Sequence, residues 1–222
     1  MYPLKRLTIL CGHYGSGKTN VAVNIAAELR KTRDTVTVAD LDIVNPYFRT
    51  KDSAAFFEEQ GIRLICSAYA NSNVDIPALP QEMYALTDDR SMTAVLDIGG
   101  DDRGALVLGR LAPKILAEGD YEMLMVINCY RPLTGDAAST LEVMAEIEYA
   151  GGIRFTGLVN NSNLGELTTP ADILASREYA EEVARLSGLP LVMTSVRQDL
   201  APAVDGKMPG VFPLVLQKNK FL

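Results

Sequence analysis

The stretch "GHYGSGKT", residues 12–19, follows directly on the apolar run 7–11 and runs into a stripe of apolar residues at helical spacing. Its glycines supply backbone freedom, Lys18 a fixed positive charge and Thr19 a hydroxyl. The spacing G-x-x-x-x-G-K-[ST] between a strand and a helix is the pattern in which backbone amides wrap a phosphate. Gly15 and Gly17 permit positive φ and leave room beside the amides. Those amides, with the positive end of the following helix dipole, attract an anion. Gly12, His13, Tyr14, Gly15, Ser16, Gly17, Lys18, Thr19 and Asn20 are therefore candidate nucleotide contacts. Lys18 is expected at the β- and γ-phosphates, and the Thr19 hydroxyl at Mg²⁺.

Outward from this loop the chain alternates short β-rich runs with longer helical patterns, which predicts βα units on a parallel sheet. Strands are expected at 7–11, 35–39, 63–66, 93–97, 123–129, 155–159 and 191–195. Helices are expected at 18–31, 136–150 and 176–187, the last stopping at Gly188 before Pro190. The stretch 68–80 departs from the rhythm. The fold class is α/β: a three-layer αβα P-loop NTPase fold with a mostly parallel central sheet of about seven or eight strands. At 222 residues the chain reads as a single nucleotide-binding domain spanning 1–222.

A polyphosphate site needs acids to hold the metal and place a water. Asp40 and Asp42 in "VTVADLD" and Asp97 in "TAVLDIGGDD" fall at the carboxyl ends of predicted strands, the edge where parallel sheets bind ligands. Asp101 and Asp102 lack that support and read as loop charges.

The net charge of −7 and the absence of a basic run argue against nucleic acid as a partner. Three cysteines without CxxC spacing give no disulfide framework or local zinc site. No apolar run approaches the ~20 residues of a membrane span. The expected setting is the cytoplasm.

The order of phosphate loop, "DLD" and "LDIGG" resembles the MinD/ParA/CobQ/CobB nucleotide-binding family, close to the nitrogenase iron protein. The resemblance implies ATP/ADP and Mg²⁺ as cofactors. Asp42 would activate the attacking water, Asp40 would assist the metal's water shell, and Asp97 would hold Mg²⁺ through a water. Lys18, Asp42 and Asp40 are then the catalytic candidates, and Thr19, Asp40 and Asp97 the metal candidates. "GLVNNSN" is similar to the family's base-reading segment, with Asn161 the nearest match and Asn160 beside it. The segment from Ser195 to Arg197 would flank the base, with Ser195 and Val196 as its contacts. Because "NNSN" holds amides where guanine reading uses a carboxylate, adenine is favoured.

Many family members place a second lysine, which reaches across a dimer, where this chain has His13. A neutral imidazole does not replace that charge, so a homodimer is possible but not required. "NPYFR", 45–49, would lie in the switch region, and Arg131 sits past a strand end near the site. Three functions stay open: a slow ATPase acting as a switch for a protein partner, an ATP-dependent small-molecule ligase, and a nucleotide sensor with little hydrolysis.

Overall fold

The computed structural model describes residues 2–41, 53–66, 81–99 and 102–216. Asp42, Asp101, the stretches 45–49 and 68–80, and the tail beyond 216 lie outside the described residues.

Among the described residues eight strands form one sheet: β1 (Leu7–Cys11), β2 (Val36–Leu41), β3 (Arg63–Cys66), β4 (Thr93–Ile98), β5 (Tyr121–Ile127), β6 (Gly157–Asn160), β7 (Leu191–Arg197) and β8 (Val211–Leu214). The order is β3-β2-β4-β1-β5-β6-β7-β8. Every pairing is parallel, so the sheet is parallel throughout rather than mostly so. The helices are α1 (Lys18–Arg30), α2 (Ala54–Gln60), α3 (Gln81–Asp88), α4 (Asp102–Glu118), α5 (Ala137–Gly151), α6 (Pro170–Ser187) and α7 (Ala201–Val204). Every residue of β1, β2 and β4 is buried, as expected for strands covered on both faces.

Handedness explains which face each helix covers. A parallel crossover is right-handed, so the direction of travel along the sheet decides the face. From β1 to β2 to β3 the chain steps one way, and α1 and α2 pack on one face through Val21, Ile25, Leu29 and Phe57. From β3 onward it steps the other way, and α3 to α6 pack on the opposite face through Met83, Leu111, Met144 and Val183. Among the described residues the reversal leaves β7 and β8 without a crossover helix of their own on the α1 face, where Phe212 and Leu214 of β8 join the α1 cluster. A groove of about 920 Å³ remains there, lined by Val23, Ala27, Phe56, Val192 and Phe212 among others. Beyond β8 the chain returns to α1, where Asn24 exchanges two hydrogen bonds with the Val215 backbone.

Several boundaries differ from expectation. β2 ends two residues later than the predicted 35–39, which brings Asp40 into the ladder. β5 starts and ends two residues earlier than 123–129, leaving Asn128 and Cys129 in the loop beyond it. α6 starts at Pro170, six residues ahead of the predicted 176. Its start is a reciprocal cap in which Thr169 accepts from the Asp172 amide and the Asp172 carboxylate accepts from Thr169. The hydrogen bonds from the Thr169 side chain and amide pull the Asp172 carboxyl below its usual range.

At the sheet edge remote from the loop, Arg6 and Glu118 form an ion pair in which both side chains are under a tenth exposed. Arg6 also donates to the carbonyls of Met92 (2.8 Å) and Leu86 (3.1 Å), so β1, α3 and α4 meet on one guanidinium. Glu118→Ala leaves that buried charge uncompensated and is expected to cost about 3–5 kcal/mol of stability. Urea unfolding measures it, and a loss under about 1 kcal/mol would show that the pair is solvated rather than buried.

Candidate functional site

β1 lies between β4 and β5, where the direction of travel along the sheet reverses. Loops at such a switch point spread apart and leave a crevice at the carboxyl edge. The 12–19 loop occupies it. Gly12 has φ 147°, and a Cβ built there would stand 2.4 Å from the Val126 carbonyl oxygen. Gly17 caps α1 at φ 87°, and a Cβ there would stand 2.2 Å from Asn161 Nδ2. Both positions therefore exclude a side chain on conformation and on space together.

The loop's carbonyls are held by three cations or amides. Lys18 Nζ donates to His13 O at 3.1 Å, Arg131 Nε to Gly15 O at 2.8 Å, and Asn161 Nδ2 to Ser16 O at 2.6 Å. The Ser16 amide closes the turn by donating to His13 O at 3.1 Å. α1 itself begins with no side-chain cap and no acidic residue in its first turn. Its leading N–H groups lack intrahelical acceptors by geometry. α5 and α6, by contrast, are capped by Asp136 and Thr169. The Ser16 hydroxyl is fully buried with no hydrogen-bond partner among the described residues. An uncapped helix start, an orphaned hydroxyl and a buried Lys18 together fit an anion such as a phosphate.

The acids stand beside it. Asp40 on β2 and Asp97 on β4 are in register on adjacent strands, and both are buried. Thr19 Oγ1 donates to Asp97 Oδ2 at 2.7 Å. With its proton directed at the carboxylate, that hydroxyl keeps lone pairs for a cation. A hydroxyl and two carboxylates are hard oxygen ligands, which suit Mg²⁺. Cys11, at the end of β1, faces the opposite core, and burial pushes its thiol pKa up, so it is a packing residue rather than a nucleophile.

The remaining candidates separate by strand alternation. Asn161 is 3 % exposed and bridges Ser16 O to the Ser195 hydroxyl, which donates to Asn161 Oδ1 at 2.6 Å. Asn160 points the other way: its amide donates to Ser176 Oγ of α6 at 2.9 Å and its oxygen accepts from the Ser162 amide. Val196 is buried in an apolar cluster with Ile173 and Val204. Asn160 and Val196 side chains are thus committed to α6 and α7, whereas Asn161 and Ser195 adjoin the loop. His13 is half-buried with Nδ1 3.0 Å from the Tyr14 carbonyl oxygen, while Tyr14 is exposed. Asn20 lies in the first turn of α1, its carbonyl accepting from Asn24.

Sequence reasoning missed Asn128. Its Nδ2 donates to Asn163 O and its Oδ1 accepts from the amides of Tyr130 and Asn163, tying the loop after β5 to that after β6. The signal available was its place just past the strand beside β1. Asn161→Asp turns the donor facing Ser16 O into a second acceptor and is expected to cost about 1–3 kcal/mol, read as a lower urea midpoint. An unchanged midpoint would show that the loop is not held from β6.

No protein-family model and no curated protein matches the sequence. Solved structures do match. Cell division protein FtsY from Thermotoga maritima superposes at 18% identity and TM-score 0.57, covering 88% of this chain and 62% of that one. Chloroplast FtsY from Physcomitrella patens gives 15% and 0.58, over 87% of this chain and 58% of that one. The signal recognition particle 54 kDa protein from Aeropyrum pernix K1, solved in complex with GDP, gives 16% and 0.53, over 87% and 41%. This chain thus spans less than two thirds of the length of each. At these identities the likeness is one of architecture, and the α/β sheet with its flanking helices has the P-loop NTPase fold.

Proposed function

We propose that this chain is a Mg²⁺-dependent nucleotide-binding protein that binds ATP and hydrolyses it slowly, as a switch for a protein partner. The observation that carries the proposal is the loop of residues 12–19 with three of its carbonyls engaged by side-chain donors and the α1 N-terminus uncapped. Lys18 would leave His13 O for the phosphate oxygens and offset the charge that builds on them. Thr19, Asp97 and Asp40 would hold Mg²⁺, which supplies neutralisation of the phosphate charge when bound. Asp42, from the "DLD" motif, would orient the attacking water and accept its proton. The order of these motifs supports a MinD/ParA-like relative.

Adenine follows from the chemistry of "NNSN". Asn161 and Asn163 offer amides, and a carboxylate that accepts from two guanine N–H groups is lacking in that run. The structures of similar fold solved with GDP favour guanine instead, so base preference is a direct test. A ligase that spends ATP on a carboxylate remains the second reading. It is favoured by His13, which stands where the dimer-spanning lysine of the resembled family falls.

Lys18→Ala should weaken ATP binding by about ten- to a hundredfold, because a charge-assisted phosphate contact contributes about 1.5–3 kcal/mol. Calorimetry giving equal affinities would remove the phosphate assignment. Asp42→Asn should retain ATP but lose most phosphate release, whereas Asp97→Ala should weaken the dependence on Mg²⁺. Wild-type turnover in the Asp42 variant would pass the water-orienting role to another group. ATP is expected to displace a fluorescent ATP analogue at lower concentration than GTP; the reverse order would assign guanine.

A further inference from the structure

The loop after β5 carries a cation that the roles above leave unused. Arg131 Nε donates to Gly15 O across 116 residues of sequence. Its terminal nitrogens make no hydrogen bond or ion pair with the described residues. The stem lies along Gly15: a Cβ built on that glycine would stand 3.5 Å from Nε and 3.6 Å from Cδ.

The root of this side chain is fixed. The Arg131 amide donates to Asn128 O at 3.2 Å, its carbonyl accepts from the Thr134 amide at 3.1 Å, and Thr134 Oγ1 donates to Asn128 O at 2.8 Å. The Cys129 amide donates to Ser162 Oγ, and Tyr130 Oη to Asp172 O, so the loop is tied to both ends of the β6–α6 connection. A guanidinium held at its base and engaged through one nitrogen is preorganised: its remaining fork can take an anion without first ordering a flexible chain.

Its position also matters. Lys18 engages His13 O at one end of the loop, whereas Arg131 lies against Gly15 in the middle. His13, at the position of the second lysine in the resembled family, turns its ring toward the Tyr14 carbonyl instead. We propose that Arg131 is a phosphate-contacting residue supplied by the same chain, which braces Gly15 through Nε and uses its terminal nitrogens to select nucleoside triphosphate over diphosphate. A planar fork suits paired phosphate oxygens, and the terminal phosphate presents more negative charge for it to meet. This rests on the nucleotide reading of the loop.

The test titrates fluorescent ATP and ADP analogues, and the GTP and GDP pair, with Mg²⁺ into wild type, Arg131→Ala and Arg131→Lys. Arg131→Ala should lose about tenfold more affinity for triphosphate than for diphosphate, any loss common to both reporting the Gly15 brace. Its triphosphate binding should also be less sensitive to salt. Arg131→Lys should recover part of the triphosphate preference, since it returns the charge without the fork. Equal losses for both nucleotides, with a lowered unfolding midpoint of the nucleotide-free protein and no recovery in the lysine variant, would make Arg131 a brace only and overturn the proposal. Unchanged affinities in both variants would overturn it too. If wild type binds neither pair, the nucleotide reading itself fails, and that is visible before any variant is measured.

Discussion

A tight backbone loop cannot aim its carbonyls and its amides at the same point, and the 12–19 segment meets that constraint with side-chain donors on three of its carbonyls, one from its own Lys18 and two from elsewhere in the chain. Lys18, Arg131 and Asn161 donate to the oxygens of His13, Gly15 and Ser16. Each is a hydrogen bond of modest net worth, about 1 kcal/mol, or somewhat more where the donor is charged. Their joint effect is orientation. The three donors come from α1, the β5 loop and the end of β6, so the loop's shape depends on three separate elements arriving in place.

Those elements arrive because of the sheet. With β1 between β4 and β5, the switch point puts the loop where neighbouring connections diverge. The glycines are fitted to that site rather than merely permissive. Gly12 passes under the Val126 carbonyl on β5, and Gly17 under the Asn161 amide, at distances that admit no Cβ. Handed crossovers set the rest: they gather α3 to α6 on one face and leave α1 close behind the loop on the other.

What the sequence made legible was local. The glycine–lysine pattern, the apolar runs and the stripe on α1 each depend on neighbours in the chain, and they placed the loop, seven of the strands and the parallel class. Strand ends were less legible, since ladder partners decide where pairing stops: Asp40 joins β2 because Asp97 stands opposite it. The start of α6 was written in Thr169–Asp172 as a reciprocal cap, a signal that apolar periodicity alone does not read. Asn160 and Asn161 looked equivalent in sequence. Alternation along β6 sends one to Ser176 on α6 and the other to the loop, and that division needs the register of the sheet. The link from Arg131 to Gly15 spans 116 residues and no local pattern encodes it.

The acids complete the same logic from the other side. In-register residues on parallel neighbours point to one face, so Asp40 and Asp97 leave the same face of the sheet on strands about 4.8 Å apart. Two buried like charges at such a separation repel unless positive charge stands near. Thr19 and Lys18 are consecutive in α1: the Thr19 hydroxyl donates to Asp97, and Lys18 is buried with its ammonium on the His13 carbonyl. The sequence thus spends its lysine, its hydroxyl and its paired acids within one crevice, although hydrophobic residues there would pack at lower electrostatic cost. The engaged loop carbonyls and the paired acids are the features on which the proposed phosphate and Mg²⁺ roles rest.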